Sequence, residues 1–296
     1  MRADDIADRI ERGGARRPAG RQLELLEEVL AIYERDGLLA GRRPDALWRC
    51  CPNRDACWSS EQLQYRPGVS DADPDSEKGC IFAPWIGPAY EPGGVCVVAV
   101  NLRYDGGDWD LAVEHRVATG AWGQEEMLRA GRRRAHHSPF AWRSLSGAAA
   151  ILRSGEGRTP VEAEGGDELA QTLLRTARLQ SVKCSPNDHR RSQRSRAMRE
   201  LCPPRFLRSE IEILEPGVLL AFGGEARSAL ERSGEVVYRE QERGFLRGSY
   251  RGVDHQAEVF VLAHPAARGA TWQRSQRALL ASLVRRRSQP TPTLPT

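Results

Sequence analysis

Apolar residues along this chain fall into two kinds of pattern. Near the amino terminus, Gln22 to Asp36 (QLELLEEVLAIYERD) sets Leu23, Leu26, Val29, Leu30 and Tyr33 at helical spacing, which predicts a packing helix. Farther on come short unbroken apolar runs: Val95 to Val100, Leu179 to Lys183, Val218 to Phe222 and AEVFVLAHP, which ends at His264-Pro265. Runs of this length bounded by Gly or Pro read as buried strands of a parallel sheet. Helices are expected between them, at 111–135, Leu169 to Arg178, an arginine-rich segment before Cys202, RFLRSEIEILEP after Pro-Pro, and EARSALERSG. VVYREQERGFLRGSYRGVDHQ reads as a hairpin or an elaborated loop. The fold class is therefore α/β, a three-layer α/β/α sandwich. Its central, mostly parallel sheet has about four strands, ending at Val100, Lys183, Phe222 and His264.

Polar stretches divide the chain. Residues 1–40 read as an amino-terminal helical arm, 41–287 as one domain, and 288–296 (SQPTPTLPT) as a disordered tail. Residues 60–79 read as a surface loop and 154–168 as a flexible connection.

Composition sharpens this picture in three ways. With 296 residues, 40% of them hydrophobic, the chain can bury one large core or two small ones. No apolar run approaches the ~18 residues a membrane span needs, and MRADDIADRIERGG lacks a signal-peptide core, so a cytoplasmic protein without a membrane partner is expected. Seven cysteines in such a chain favour free thiols or metal ligation over a disulfide framework. The net charge of +4 is modest, but arginines cluster at 132–134, 190–208 and 285–287, a distribution suited to phosphate contacts and hence to DNA. No segment points to an obligate protein partner.

The densest chemistry lies between Leu179 and Gly224. A strand there ends on Cys184, opens into the polar loop SPNDHRR, and is followed by Arg190, Arg191, Arg194, Arg196 and Arg199, then Cys202. A strand that releases the chain into a polar loop and a helix is the usual site-building unit of an open α/β sheet. Cys51 and Cys57, framed by Trp48 and Trp58, form half of a metal site, and Cys184 and Cys202 supply the other half. Buried structural thiols are the plain alternative.

VKCSPN, a helix, a second Cys, a helix and a strand ending in AFGG resemble the iron–sulfur uracil-DNA glycosylases. The matching family segment runs NVVKCRPPGNR, a helix, a Cys, a helix and a strand ending in ALG. The resemblance extends more weakly from about Leu47 to Leu283, and it implies a 4Fe–4S cluster on Cys51, Cys57, Cys184 and Cys202. The family's early pair is usually closer together, so Cys50 or Cys80 stands as a substitute for either early ligand. Zinc suits four thiolates equally and is the competing metal. In the wider uracil-DNA glycosylase superfamily the first strand ends in GQDPY, GINPG, GMNPG or GEAPG. Here the letters are AVNLR, so Asn101 aligns with a catalytic Asn and Val100 replaces the Glu of the iron–sulfur branch. An Asn can orient water toward the anomeric carbon, while Asp105 and Asp108 are the nearest carboxylates. An Asx turn at Asn101 and loop caps at the two aspartates are the structural alternatives.

The same resemblance implies roles elsewhere. HHSPFAWRSLSGAAAILRS is similar to RPFVGxAGxLL, which makes Phe140 a base stacker, with His136 and His137 beside it; a helix-entry staple is the other reading. Gln180 stands where the family has a base-reading Asn, three residues before the Lys of VKC. His264-Pro265 matches the second motif, a strand then HPS, whose His stabilises the departing base, and Arg268 would fill the gap left by a flipped nucleotide. The expected function is a DNA glycosylase that excises a damaged or modified base, more a modified pyrimidine than plain uracil. Modified phage DNA, and with it a defence role, fits the departures at AVNLR and Gln180. The rival reading is a non-catalytic DNA-binding or scaffold protein on the same fold, with a structural metal cluster.

Overall fold

The structure, a computed structural model, describes residues 20–37, 52–53, 56–57, 80–81, 84–99, 139–163, 165–185, 196–265, 267 and 270–288. The expected first helix is α1, Arg21–Arg35, but its buried face is turned from the one the spacing suggests. Gln22, Leu25, Val29, Leu30 and Tyr33 are buried, while Leu23 and Leu26 are half-exposed. Two polar anchors set that rotation: Gln22 donates to the Ile86 carbonyl, and the Tyr33 hydroxyl donates to Glu210.

The strands are β1 (Cys80–Ile81), β2 (Trp85–Ile86), β3 (Val95–Ala99), β4 (Thr176–Gln180), β5 (Cys184–Ser185), β6 (Val218–Phe222), β7 (Glu235–Glu242), β8 (Phe245–Arg251) and β9 (Gln256–Leu262). Seven of them form one sheet in the order β2-β4-β3-β6-β9-β8-β7, and β1 pairs with β5 in a separate ribbon. The four central strands, β4, β3, β6 and β9, run parallel, which is the core the apolar runs predict. The sheet nevertheless exceeds four strands, because antiparallel β2 extends one edge and the β7–β8 hairpin extends the other through β9. The hairpin strands are half-buried and polar, so their sequence carries no unbroken apolar run. Their outermost member, β7, carries a bulge between Tyr238 and Glu240.

A second correction concerns β4. The strand spans Thr176–Gln180, and the chain bends at Ser181 and Val182 before Lys183. The preceding helix stops at Leu174, short of the expected Arg178. Arg178 lies inside the strand and is buried on the same face as Thr176 and Gln180; burial lowers its pKa to about 10. A charged residue in a wholly buried strand is what pattern reading places outside the strand.

The helices are α2 (Pro139–Gly155), α3 (Gly166–Leu174), α4 (Arg196–Cys202), α5 (Arg208–Leu214), α6 (Gly223–Ser233) and α7 (Ala270–Ser288). The expected break at Pro203-Pro204 is a single π turn, Pro203–Leu207, joining α4 to α5 without interruption. Proline lacks the amide needed for the i→i−4 ladder, and the widened turn absorbs the misfit, with the Arg208 amide donating to the Pro203 carbonyl. One face of the sheet packs Cys96, Val98, Leu179, Leu219 and Val259 against Leu25 of α1, Ile211 and Leu214 of α5, and Leu230 of α6. The other packs Val97, Leu220, Phe222 and Phe260 against α2 and α7. The result is the expected three layers. Among the described residues no helix is long and apolar enough to cross a membrane.

Candidate active site

Parallel β3, β4, β6 and β9 all end at one edge of the sheet. The chain leaves β3 for β4 on one side and returns at β6 on the other. That reversal is a topological switch point, and open α/β sheets bind ligands outside the carboxyl ends of the strands at such points. Gln180, the last residue of β4, pairs in register with Ala99, the last of β3, and the Ser181 amide donates to the Ala99 carbonyl at 2.9 Å. Gln180 is 4% exposed, and its Oε1 has no hydrogen-bond partner among the described residues. Leaving a buried amide oxygen without a partner is costly.

His264 follows β9 at the same edge and is exposed. The Ala267 amide donates to the His264 carbonyl at 2.7 Å, closing a turn over Pro265. Beneath it lies Gly223, the first residue of α6, at φ +80°. A Cβ on Gly223 would come within 3.2 Å of the His264 Cβ, so the bare backbone there forms the seat on which the histidine rests. Arg143, in the second turn of α2, donates to the Pro265 carbonyl and, at 3.4 Å, to the Ala267 carbonyl. Its guanidinium lies 5.5 Å from the centre of the Trp272 ring, which in turn leans on Phe222 with centroids 6.1 Å apart.

The bend after β4 carries Lys183 into the interior. Lys183 is 0% and Glu210 1% exposed, and they pair at 2.5 Å. The Tyr33 hydroxyl completes the carboxylate's shell, and its ring lies 5.9 Å from the Lys183 ammonium. Burial raises the Glu210 carboxyl, against the pull of Lys183 and Tyr33, and burial beside Glu210 raises the Tyr33 phenol far above its ordinary range. Sequence reading missed this trio, as it missed Arg143 and Gly223. The one visible signal was a lysine sandwiched between an apolar run and a cysteine.

Of the expected cluster ligands, Cys57 and Cys202 are buried thiols at 5% and 4% exposure. Cys202 closes α4 where the π turn begins, and Cys184 lies in β5, opposite Ile81 and next to the Cys80↔Ser185 pair. The β1–β5 ribbon thus brings the backbones of Cys80 and Cys184 together. Cys51, Cys50, Asn101, Asp105, Asp108, His136, His137, Arg190, Arg191, Arg194 and Arg268 lie outside the described residues, as does the 111–135 helix. Phe140 belongs to the first turn of α2, which starts at the carboxyl edge of the sheet. Among the described residues no three His, Cys, Asp or Glu side chains gather as a metal set. Two arginines expected among few acids are in fact ion-paired: Arg196 with Glu200 at 2.7 Å and Arg199 with Glu225 at 3.3 Å.

The carboxyl edge of this three-layer α/β fold thus carries, among the described residues, a buried Gln180 oxygen without a partner and the histidine that follows β9. The chain belongs to the uracil DNA glycosylase superfamily, whose family model matches residues 136–286. The matched span runs from just before α2 into α7 and so includes Phe140, Gln180, Cys184, Cys202 and His264. No curated protein matches the chain.

Proposed function

We propose that this protein is a monofunctional DNA glycosylase that flips a damaged or modified base out of DNA and hydrolyses its N-glycosidic bond, leaving an abasic site. The observation that carries the reading is the buried, unpartnered Gln180 oxygen in a superfamily member, at the edge where His264 also stands. Cleavage develops positive charge on the sugar and negative charge on the departing base. A ring N–H of His264 donates to the base oxygen as that charge grows. Asn101 holds the attacking water below the sugar, with Asp105 the next group for that task. Phe140 stacks on the extruded base and Gln180 reads its polar edge. Arg190, Arg191 and Arg194 meet phosphates, and Arg268 fills the vacated stack.

The longer Gln180 in place of Asn, and AVNLR at the first motif, favour a modified pyrimidine over plain uracil, with modified phage DNA as a source and defence as the role. The two buried thiols, Cys57 and Cys202, suit a soft metal centre, and with Cys51 and Cys184 they would hold a 4Fe–4S cluster, or zinc. Such a centre cross-links distant segments of the chain.

DNAs from phages with diverse base modifications, run beside a uracil oligonucleotide, are the test, scored by abasic-site formation. His264→Ala and Asn101→Ala are each expected to slow single-turnover cleavage by roughly 10²-fold with DNA affinity little changed. Wild-type rates in both variants would refute the assignment of the site. No abasic site from any DNA, with DNA bound nonetheless, would favour the scaffold reading.

A further inference from the structure

We infer that Arg143 is a positioning residue for His264, latching the turn that carries it. This rests on the reading above, in which His264 acts on the departing base. Three observations converge on the turn that runs from His264 to Ala267. It follows β9 directly, and within it one backbone bond is described, Ala267 N–H to His264 O at 2.7 Å. Arg143 reaches across from α2 and donates to two of its carbonyls, those of Pro265 and Ala267. Neither carbonyl belongs to a helix or strand, and a single guanidinium nitrogen, Nη1 of Arg143, donates to both.

The guanidinium is itself held. Its carbon lies over the Trp272 ring of α7, Phe222 backs Trp272, and Gln276 of α7 donates to Ser146 of α2 at 3.3 Å, so the two helices beside the turn are tied together. On the opposite side Gly223 offers bare backbone to the His264 Cβ. The histidine is thereby held between a glycine seat and a latched turn while its ring remains exposed. A catalytic donor must be held to within a fraction of an ångström, and fixing the backbone that carries it is part of that. Arg143 grips the backbone of the turn through two carbonyls, and its effect on chemistry passes through that grip.

Arg143→Gln and Arg143→Lys, with thermal melts as a folding control, test this in two ways. In the free protein, hydrogen exchange at the Ala267 amide should accelerate about tenfold or more in Arg143→Gln, with β9 amides unchanged. The His264 ring resonances should broaden or shift, and Arg143→Lys, which keeps a charged donor but loses the planar group over Trp272, should restore part of both signals. An unchanged Ala267 amide and unchanged His264 resonances in both variants would overturn the latch, for any substrate. The second arm measures single-turnover cleavage of a uracil-containing single-stranded oligonucleotide over long incubations. Arg143→Gln should slow it roughly tenfold to a hundredfold, and add nothing when His264 is already Ala. An equal loss in the His264→Ala background would show Arg143 acting elsewhere and refute the inference. If His264→Ala cleaves at the wild-type rate while Ala267 exchanges faster in Arg143→Gln, the latch stands as structure and the reading of His264 is what fails.

Discussion

Lys183, Glu210 and Tyr33 come from three separate segments and meet in the buried interior. Taking one partner away leaves a buried charge without its complement. Lys183→Met should therefore destabilise the protein by about 3–5 kcal/mol, and pairing it with Glu210→Leu should recover most of that, as urea titration would register. Gly223→Ala should cost about 1 kcal/mol or more from its positive φ alone, and it should also move the His264 ring signals. Cys96 is a simpler case. Burial pushes its thiol up to about 12, so native protein held at pH 8 should leave Cys96 unalkylated while denatured protein does not, as peptide mass spectrometry would show. None of these couplings was legible in the sequence, since periodicity reports which face a residue is on and says nothing of which distant residue it meets. The place of His264 at a strand end was legible because apolar runs show where strands stop, whereas Gln180 was named from the motif alone, since the apolar run put that strand's end at Lys183 and the strand in fact ends at Gln180.

At the scale of elements, parallel strands proved far more readable than their antiparallel neighbours. Strands β3 and β6 are wholly buried and apolar, and β9 is so from Val259 to Leu262, whereas β7 and β8 carry charges that pair across the surface. Arg247 binds both Glu240 and Glu258 at 2.7 Å, and Arg285 reaches Glu240 at 2.8 Å. Strand β4 was misplaced by its buried arginine, and α1 was rotated by two polar anchors that an apolar count ignores. Helix α1 is nevertheless packed into the core. Leu25 lies at 0% exposure among residues of the sheet, so Leu25→Ala should cost about 2–5 kcal/mol, a loss measurable by thermal or chemical unfolding.

Charge belongs to the whole molecule. The arginine-rich region between Cys184 and Cys202 looks like one positive surface in sequence, yet its described members differ from that picture. Arg196 and Arg199 are neutralised by Glu200 and Glu225. If Arg190 and Arg191 meet phosphates, replacing both with Ala should flatten the slope of log affinity against log salt by roughly 0.7–0.9 for each phosphate that goes unpaired. Arg196→Ala should leave that slope unchanged, and a fall with Arg196→Ala instead would move the interface onto α4. The outer rim of the sheet carries a related device. β7 faces outward as the last strand, and an open row of amides and carbonyls invites another chain to add itself. The extra residue at the bulge, Arg239, breaks that row halfway along. At high concentration a continuous rim would let copies stand edge to edge and zip into filaments. Deleting Arg239 would make the rim continuous, and light scattering at rising concentration should then record growth that the intact chain resists.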